Sequence, residues 1–222
     1  MQFTTNELYL LINQKGPLWL YGADLSNAIL TLSTLKGAVL AHCNLQQARL
    51  FQADLTNADL SSANLIKADL GAAKLANANL SSADLTGASL GVADLTKANL
   101  SSAILTNAGL GTAKLVNANL EYAQLYKAGM NAVDLTNADL TNAGLKDANL
   151  TYAVLHKANL THAGLANADL SHANLTNANL TNADLSGATL IGANLSGATL
   201  TGVDLANAKY DQTTTWPAGF TP

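Results

Sequence analysis

Every fifth residue from Leu20 to Leu205 is leucine except Met130, and the frame closes on Tyr210. Two residues before each of these positions stands alanine, interrupted only by Leu18, Ser33, Cys43, Val133 and Val203. Residues 18–212 are therefore 39 consecutive pentapeptides with no insertion. Such self-similarity constrains the fold more than any local propensity, because a short unit buries its apolar side only by stacking on its neighbours.

A period of five matches neither the 3.6 of a helix nor the 2 of a plain strand. The spacing inside the unit resolves this. With the leucine called position i, residues i−2 and i lie two apart, so in extended chain they share one side and i−1 takes the other. Alanine and leucine are apolar and point inward. The i−1 residue is mostly Asp, Asn, Lys, Thr or Ser and points outward. Positions i+1 and i+2 must then turn the chain so that the next alanine faces inward again. The i+1 site is mostly Ser or Thr and i+2 is often Asn or Gly, residues that tolerate the positive φ of a type II turn. The unit is a three-residue strand followed by a corner, and repeated corners wind a solenoid whose coils pair in parallel about 4.8 Å apart. Residues twenty apart match in several columns, as in Asp59, Asn79, Asn99, Asn119, Asp139, Asn159 and Asn179, and in Gly71, Gly91 and Gly111. Four pentapeptides per coil are expected.

The run ADLTN ADLSS ANLIK ADLGA AKLAN ANLSS ADLTG over residues 53–87 resembles the pentapeptide-repeat proteins, of the uninterrupted A(D/N)LXX kind abundant in cyanobacteria. The resemblance covers residues 18–212 and implies an all-β fold, a right-handed quadrilateral β-helix. At four units per coil it would have about 9–10 coils and a length of roughly 45–50 Å.

The chain divides into three parts. Residues 1–17 lie outside the frame; Thr4 and Glu7 fit a capping box, and Leu8, Leu11 and Ile12 share one helical face. This predicts a short helix over about 5–14 that caps the first coil, whose open sheet edge would otherwise invite association. Residues 18–212 form the solenoid. Residues 213–222 are a closing tail in which Trp216 and Phe220 fold over the last coil, as the W-P-x-G-F ending does in many members of the family. Trp19, Tyr21, Ile29, Leu32, Val39 and Phe51 point outward near the start; packing against the cap and a protein-binding patch are both open for them.

Residues 121–172 are the least repetitive stretch. Four outward positions nearby are glycine (109, 129, 144 and 164), and Tyr122, Tyr126, Lys127, Lys146, Tyr152 and His172 stand around them. Bare strand centres beside Tyr and Lys have the composition of an interaction surface. These six residues are the candidate protein-binding site.

Composition argues against several classes of chemistry. The single Cys43 cannot form an internal disulfide, and its inward position makes it a slightly larger alanine. The four histidines never meet in adjacent coils of one column, so no metal site is expected, and no cofactor motif is present. The Ser and Thr residues are corner residues without an oriented base; the expected protein is not an enzyme. No apolar stretch reaches the length of a membrane span and no signal peptide is apparent, so a cytoplasmic protein is expected; with no amphipathic helix in the tail of the kind a dimer would need, a monomer is expected.

Three functions compete: a rigid scaffold that binds an unidentified protein partner, a DNA mimic that inhibits or protects DNA gyrase, and a structural spacer. The second enters through the family resemblance alone. Duplex DNA carries one charge per about 1.7 Å, so a 48 Å mimic would need roughly 28 negative charges. This chain has 11 basic and 15 acidic residues, a net charge of −4, which also speaks against direct nucleic-acid binding.

Overall fold

A three-residue strand cannot sustain a sheet alone, so each must pair with its equivalent one coil away. The computed structural model describes residues 5–12, 16 and 18–222, with only the backbone at residues 5, 6, 8 and 9. In it the outward residue of every strand forms a parallel bridge to the residue twenty positions on, from Trp19 with Val39 to Thr189 with Lys209. The coil is thus twenty residues, four pentapeptides, as the column matches require.

The pairing is regular. Each inward leucine N–H donates to the outward residue of the next coil, as Leu60 does to Asn79 at 2.7 Å, and each outward N–H donates back to the alanine of the previous coil, as Asn79 does to Ala58 at 2.9 Å. Four parallel ladders result, named here for their outward residues: ladder A from Trp19, B from Asp24, C from Ile29 and D from Thr34.

Corners obey one rule. The alanine N–H donates to the preceding leucine carbonyl, and the residue before that alanine has φ near +60° at every corner from Gly22 to Asn207. A positive φ at the third residue is the signature of a type II turn. Asn and Gly are at home there, but Leu32, Val92, Thr112, Tyr122 and Tyr152 adopt it too. The stacked ladders impose the conformation on residues that would avoid it in isolation.

Leucine and alanine fill the interior as the alternation requires, and nearly all are fully buried from Leu25 to Leu195. Cys43 is among them, with its thiol 2.7 Å from the Leu20 carbonyl oxygen. Burial pushes that thiol above its usual range, so it is a core residue and not a nucleophile.

Helix α1 spans Thr5–Ile12. Leu11 and Ile12 pack against the core cluster; Thr4 of the expected capping box lies outside the described residues, as does the side chain of Leu8. The outward apolar residues of the first coil stay open to solvent: Trp19, Tyr21, Ile29 and Leu32 are all more than 60% exposed. Phe51 is accounted for locally. Its ring lies over Gly71, one coil on in the same corner column, so closely that an added Cβ would meet it at 3.0 Å.

At the other end the ladder outruns the frame. Asp211, Gln212 and Thr213 make a corner one residue longer than the rest, after which Thr215 bridges Asn194 at a spacing of 21. Thr214 turns inward and donates to the Leu190 carbonyl at 2.8 Å. Trp216 takes the position that leucine holds elsewhere, against Tyr210 at 5.3 Å and Phe220 at 5.4 Å. Trp216 and Phe220 pack on the core cluster.

Candidate functional site

With the coil length known, each candidate residue has a place. Tyr122 stands at the corner between ladders A and B. Tyr126 and Lys127 stand at the corner between B and C, with Lys146 and Asp147 directly beyond them in the same columns. Tyr152 and His172 stand at the corner between C and D. Gly109 and Gly129 are bridged neighbours on ladder C, and Gly144 and Gly164 on ladder B. The six side chains therefore surround two adjoining ladders whose centres carry no side chain, the glycine pairs being staggered across the corner that holds Tyr126.

These glycines are not demanded by the backbone. None of the four has positive φ, and a Cβ at Gly109, Gly144 or Gly164 would meet nothing within 4 Å; at Gly129 it would reach only the Ala108 carbonyl oxygen at 3.9 Å. They contrast with Gly187, Gly192, Gly197 and Gly202, the four successive corners of one coil, all at positive φ. There the side chains of Asn167, His172, Asn177 and Asn182 fold down onto the glycine and leave no room for a Cβ.

Around the bare ladders the aromatic rings are open to solvent, with Tyr122 at 56%, Tyr126 at 38% and Tyr152 at 62%. The Lys127 ammonium lies 4.9 Å from the centroid of the Tyr126 ring, a cation–π distance. Hydrogen bonding to Tyr126 first, and then its charge, hold Lys127 above its usual pKa. Tyr152 stacks on His172 at 4.9 Å with the planes 14° apart, and the far side of the His172 ring lies against Gly192. Two exposed polar residues, Gln124 on ladder B beside Gly144 and Asn149 on ladder C beside Gly129, bracket the bare stretch. Sequence reasoning passed over them, although a spacing of twenty was the signal that could have placed them. Among the described residues, no group of His, Cys, Asp or Glu is arranged to hold a metal ion. The arrangement can offer aromatic faces, hydroxyls and ammonium groups to a partner.

The family model for pentapeptide repeats matches in eight copies, over residues 20–57, 53–91, 93–130, 128–167 and 168–207. The chain belongs to the pentapeptide-repeat family. Among solved structures it is similar to HetL, a pentapeptide-repeat protein involved in heterocyst differentiation regulation from the cyanobacterium Nostoc sp. strain PCC 7120. The match has 36% identity over 93% of this chain and 94% of that one, with a TM-score of 0.76. It is also similar to alr5209, a pentapeptide-repeat protein from Nostoc PCC 7120, at 44% identity over 41% of this chain and 75% of that one, with a TM-score of 0.41. QnrB1, a plasmid-mediated fluoroquinolone resistance protein, matches at 18% identity over 88% of this chain and 92% of that one, with a TM-score of 0.40; a likeness that distant carries no argument about role. No curated relative matches. Among the described residues no helix is long and apolar enough to cross a membrane.

Proposed function

We propose that this pentapeptide-repeat protein is a non-enzymatic rigid scaffold that binds a protein partner through the bare stretch of ladders B and C. The partner contacts Tyr122, Tyr126, Lys127, Lys146, Tyr152 and His172. The observation that carries the reading is the four glycines at outward positions where a Cβ would fit freely. A fold that tolerates any side chain there gains nothing from glycine, whereas a partner backbone that approaches closely does. Exposed tyrosines and a lysine held over a ring are the residue types that anchor such contacts. The likeness to HetL, named for a part in regulation, agrees with a protein that acts through another protein. In this reading residues 1–17 and 213–222 are the two end caps of a right-handed solenoid of square section over 18–212, the four corners per coil supporting the square form.

The test is affinity capture from the native cell with the full chain, the Tyr126→Ala/Lys146→Ala double variant, and a Gly109→Ala/Gly129→Ala/Gly144→Ala/Gly164→Ala variant. The reading expects one partner that is captured by the parent chain and lost from both variants while their melting temperatures hold or rise. A partner retained by both would move the binding surface elsewhere, and a chain that captures nothing reproducibly would favour the spacer.

A further inference from the structure

A solenoid of near-identical coils has a particular folding hazard. Leucine stacks on leucine and asparagine on asparagine whether the next coil or the one after it is used, so a stretch can dock one coil out of register and loop out twenty residues. Most outward columns do nothing to prevent this. Ladder A, for example, runs Asp59, Asn79, Asn99, Asn119, Asp139, Asn159 and Asn179, with hydrogen bonds such as Asn99 Nδ2 to Asn79 Oδ1 at 3.2 Å that any coil could offer.

Ladder D differs. Its successive bridged residues are Asp54, Lys74, Asp94, Lys114 and Asp134, charges of alternating sign on five consecutive coils. The aspartates are half-buried and the lysines exposed. Each carboxylate is fixed by a hydrogen bond from the corner that follows it, Thr56, Thr96 and Thr136 N–H donating at 3.0 Å. Hydrogen bonds from Thr56 first, and the charges of Lys74 and Lys36 after them, hold the Asp54 carboxyl below its usual range.

We propose that this alternating column is a register lock that makes the native coil pairing the favoured one during folding. Native pairing sets every charge against its opposite one coil away. Omitting residues 74–93 sets Asp54 against Asp94; omitting 94–113 sets Lys74 against Lys114; omitting 114–133 sets Asp94 against Asp134. Like charges directly opposed in a sheet disfavour the pairing, by a factor of up to about five for each contact. The lock runs from the second coil to the sixth.

Two full-length variants test it. Lys74→Asn/Asp94→Asn/Lys114→Asn replaces the central charges by a residue that serves elsewhere at the same position. Lys74→Asp/Asp94→Lys keeps composition and net charge but sets like charges together at two of the four native contacts, positions 54 with 74 and 94 with 114, and opposite charges together at every contact when one coil is skipped. Each is unfolded in denaturant, refolded, and followed by hydrogen exchange and limited proteolysis, which reveal a looped-out coil as a block of about twenty unprotected residues around 74–113. The lock requires a slipped population that rises by up to about fivefold in the neutral variant and further in the swapped one. It also requires the parent chain to match the neutral variant when refolded in about 1 M salt, where screening acts within about 3 Å. If the swapped variant does not fold, the neutral variant and the salt series still decide. Equal native fractions for parent and neutral variant, with no salt dependence, would overturn the proposal.

Discussion

At the scale of single residues the chain uses glycine in two unrelated ways, and the two predict opposite responses. At Gly197 the backbone is at φ +69° and the Asn177 side chain lies on the site a Cβ would take. Gly197→Ala is expected to cost about 1–2 kcal/mol in denaturant unfolding, with part of the loss recovered when Asn177→Ala is added. At Gly109, where φ is not positive and a Cβ meets nothing, Gly109→Ala is expected to be neutral or to stabilise by up to about 1 kcal/mol. A second residue-scale effect concerns acid. The Ser26 N–H donates to Asp24 Oδ1 at 3.0 Å, and with the Ser26 hydroxyl it lowers that carboxyl to about 2. A depressed carboxylate adds stability above the unfolded-state pKa near 3.9 and loses it as pH falls through the folded value. The Asp24→Asn variant should therefore show a shallower fall in melting temperature between about pH 4 and 2 than the parent chain.

The coil and its two ends belong to the next scale up, and the sequence revealed them unevenly. The Ala-x-Leu alternation named the inward residues, and the columns at spacing twenty gave the coil length, because both follow from side-chain direction alone. Corner conformation was legible where the residue was Asn or Gly. It was not legible at Val92 or Tyr152, where neighbouring coils override local preference. The tail misled in a different manner. The pentapeptide frame stops at residue 212, but one additional residue in the corner lets Thr214, Thr215 and Trp216 resume the inward–outward–inward order. Only the bridge to Asn194 reveals this. Around the first coil, Trp19, Tyr21, Ile29 and Leu32 were candidates for packing under the helix, yet stay exposed; among the described residues of α1, Leu11 and Ile12 pack against the core. The candidate surface was legible as composition, through its tyrosines and lysines; that its glycines are free of backbone demand required coordinates. At this scale Trp216→Ala is expected to cost about 2–3 kcal/mol, less than a fully buried Trp, and to raise hydrogen exchange in residues 190–216 while leaving the middle coils protected.

For the whole molecule, the claim on which everything else rests is that one unbroken inward column of leucine and alanine holds the coils together while the outward columns are free to vary. Ladders, corners, the bare surface and the charge column all presuppose it. The most direct measurement compares thermal and denaturant unfolding of Leu100→Asp and Lys97→Asp with the parent chain. Leu100 is fully buried at mid-rod, so an aspartate there places a carboxylate among leucines with no partner. Lys97 is exposed at a corner with φ +60°, a conformation aspartate accepts readily. The expected result is loss or splitting of the cooperative transition in Leu100→Asp and a change within about 0.5 kcal/mol in Lys97→Asp. Two variants that unfold alike would contradict the assignment of inside and outside, and with it the architecture described.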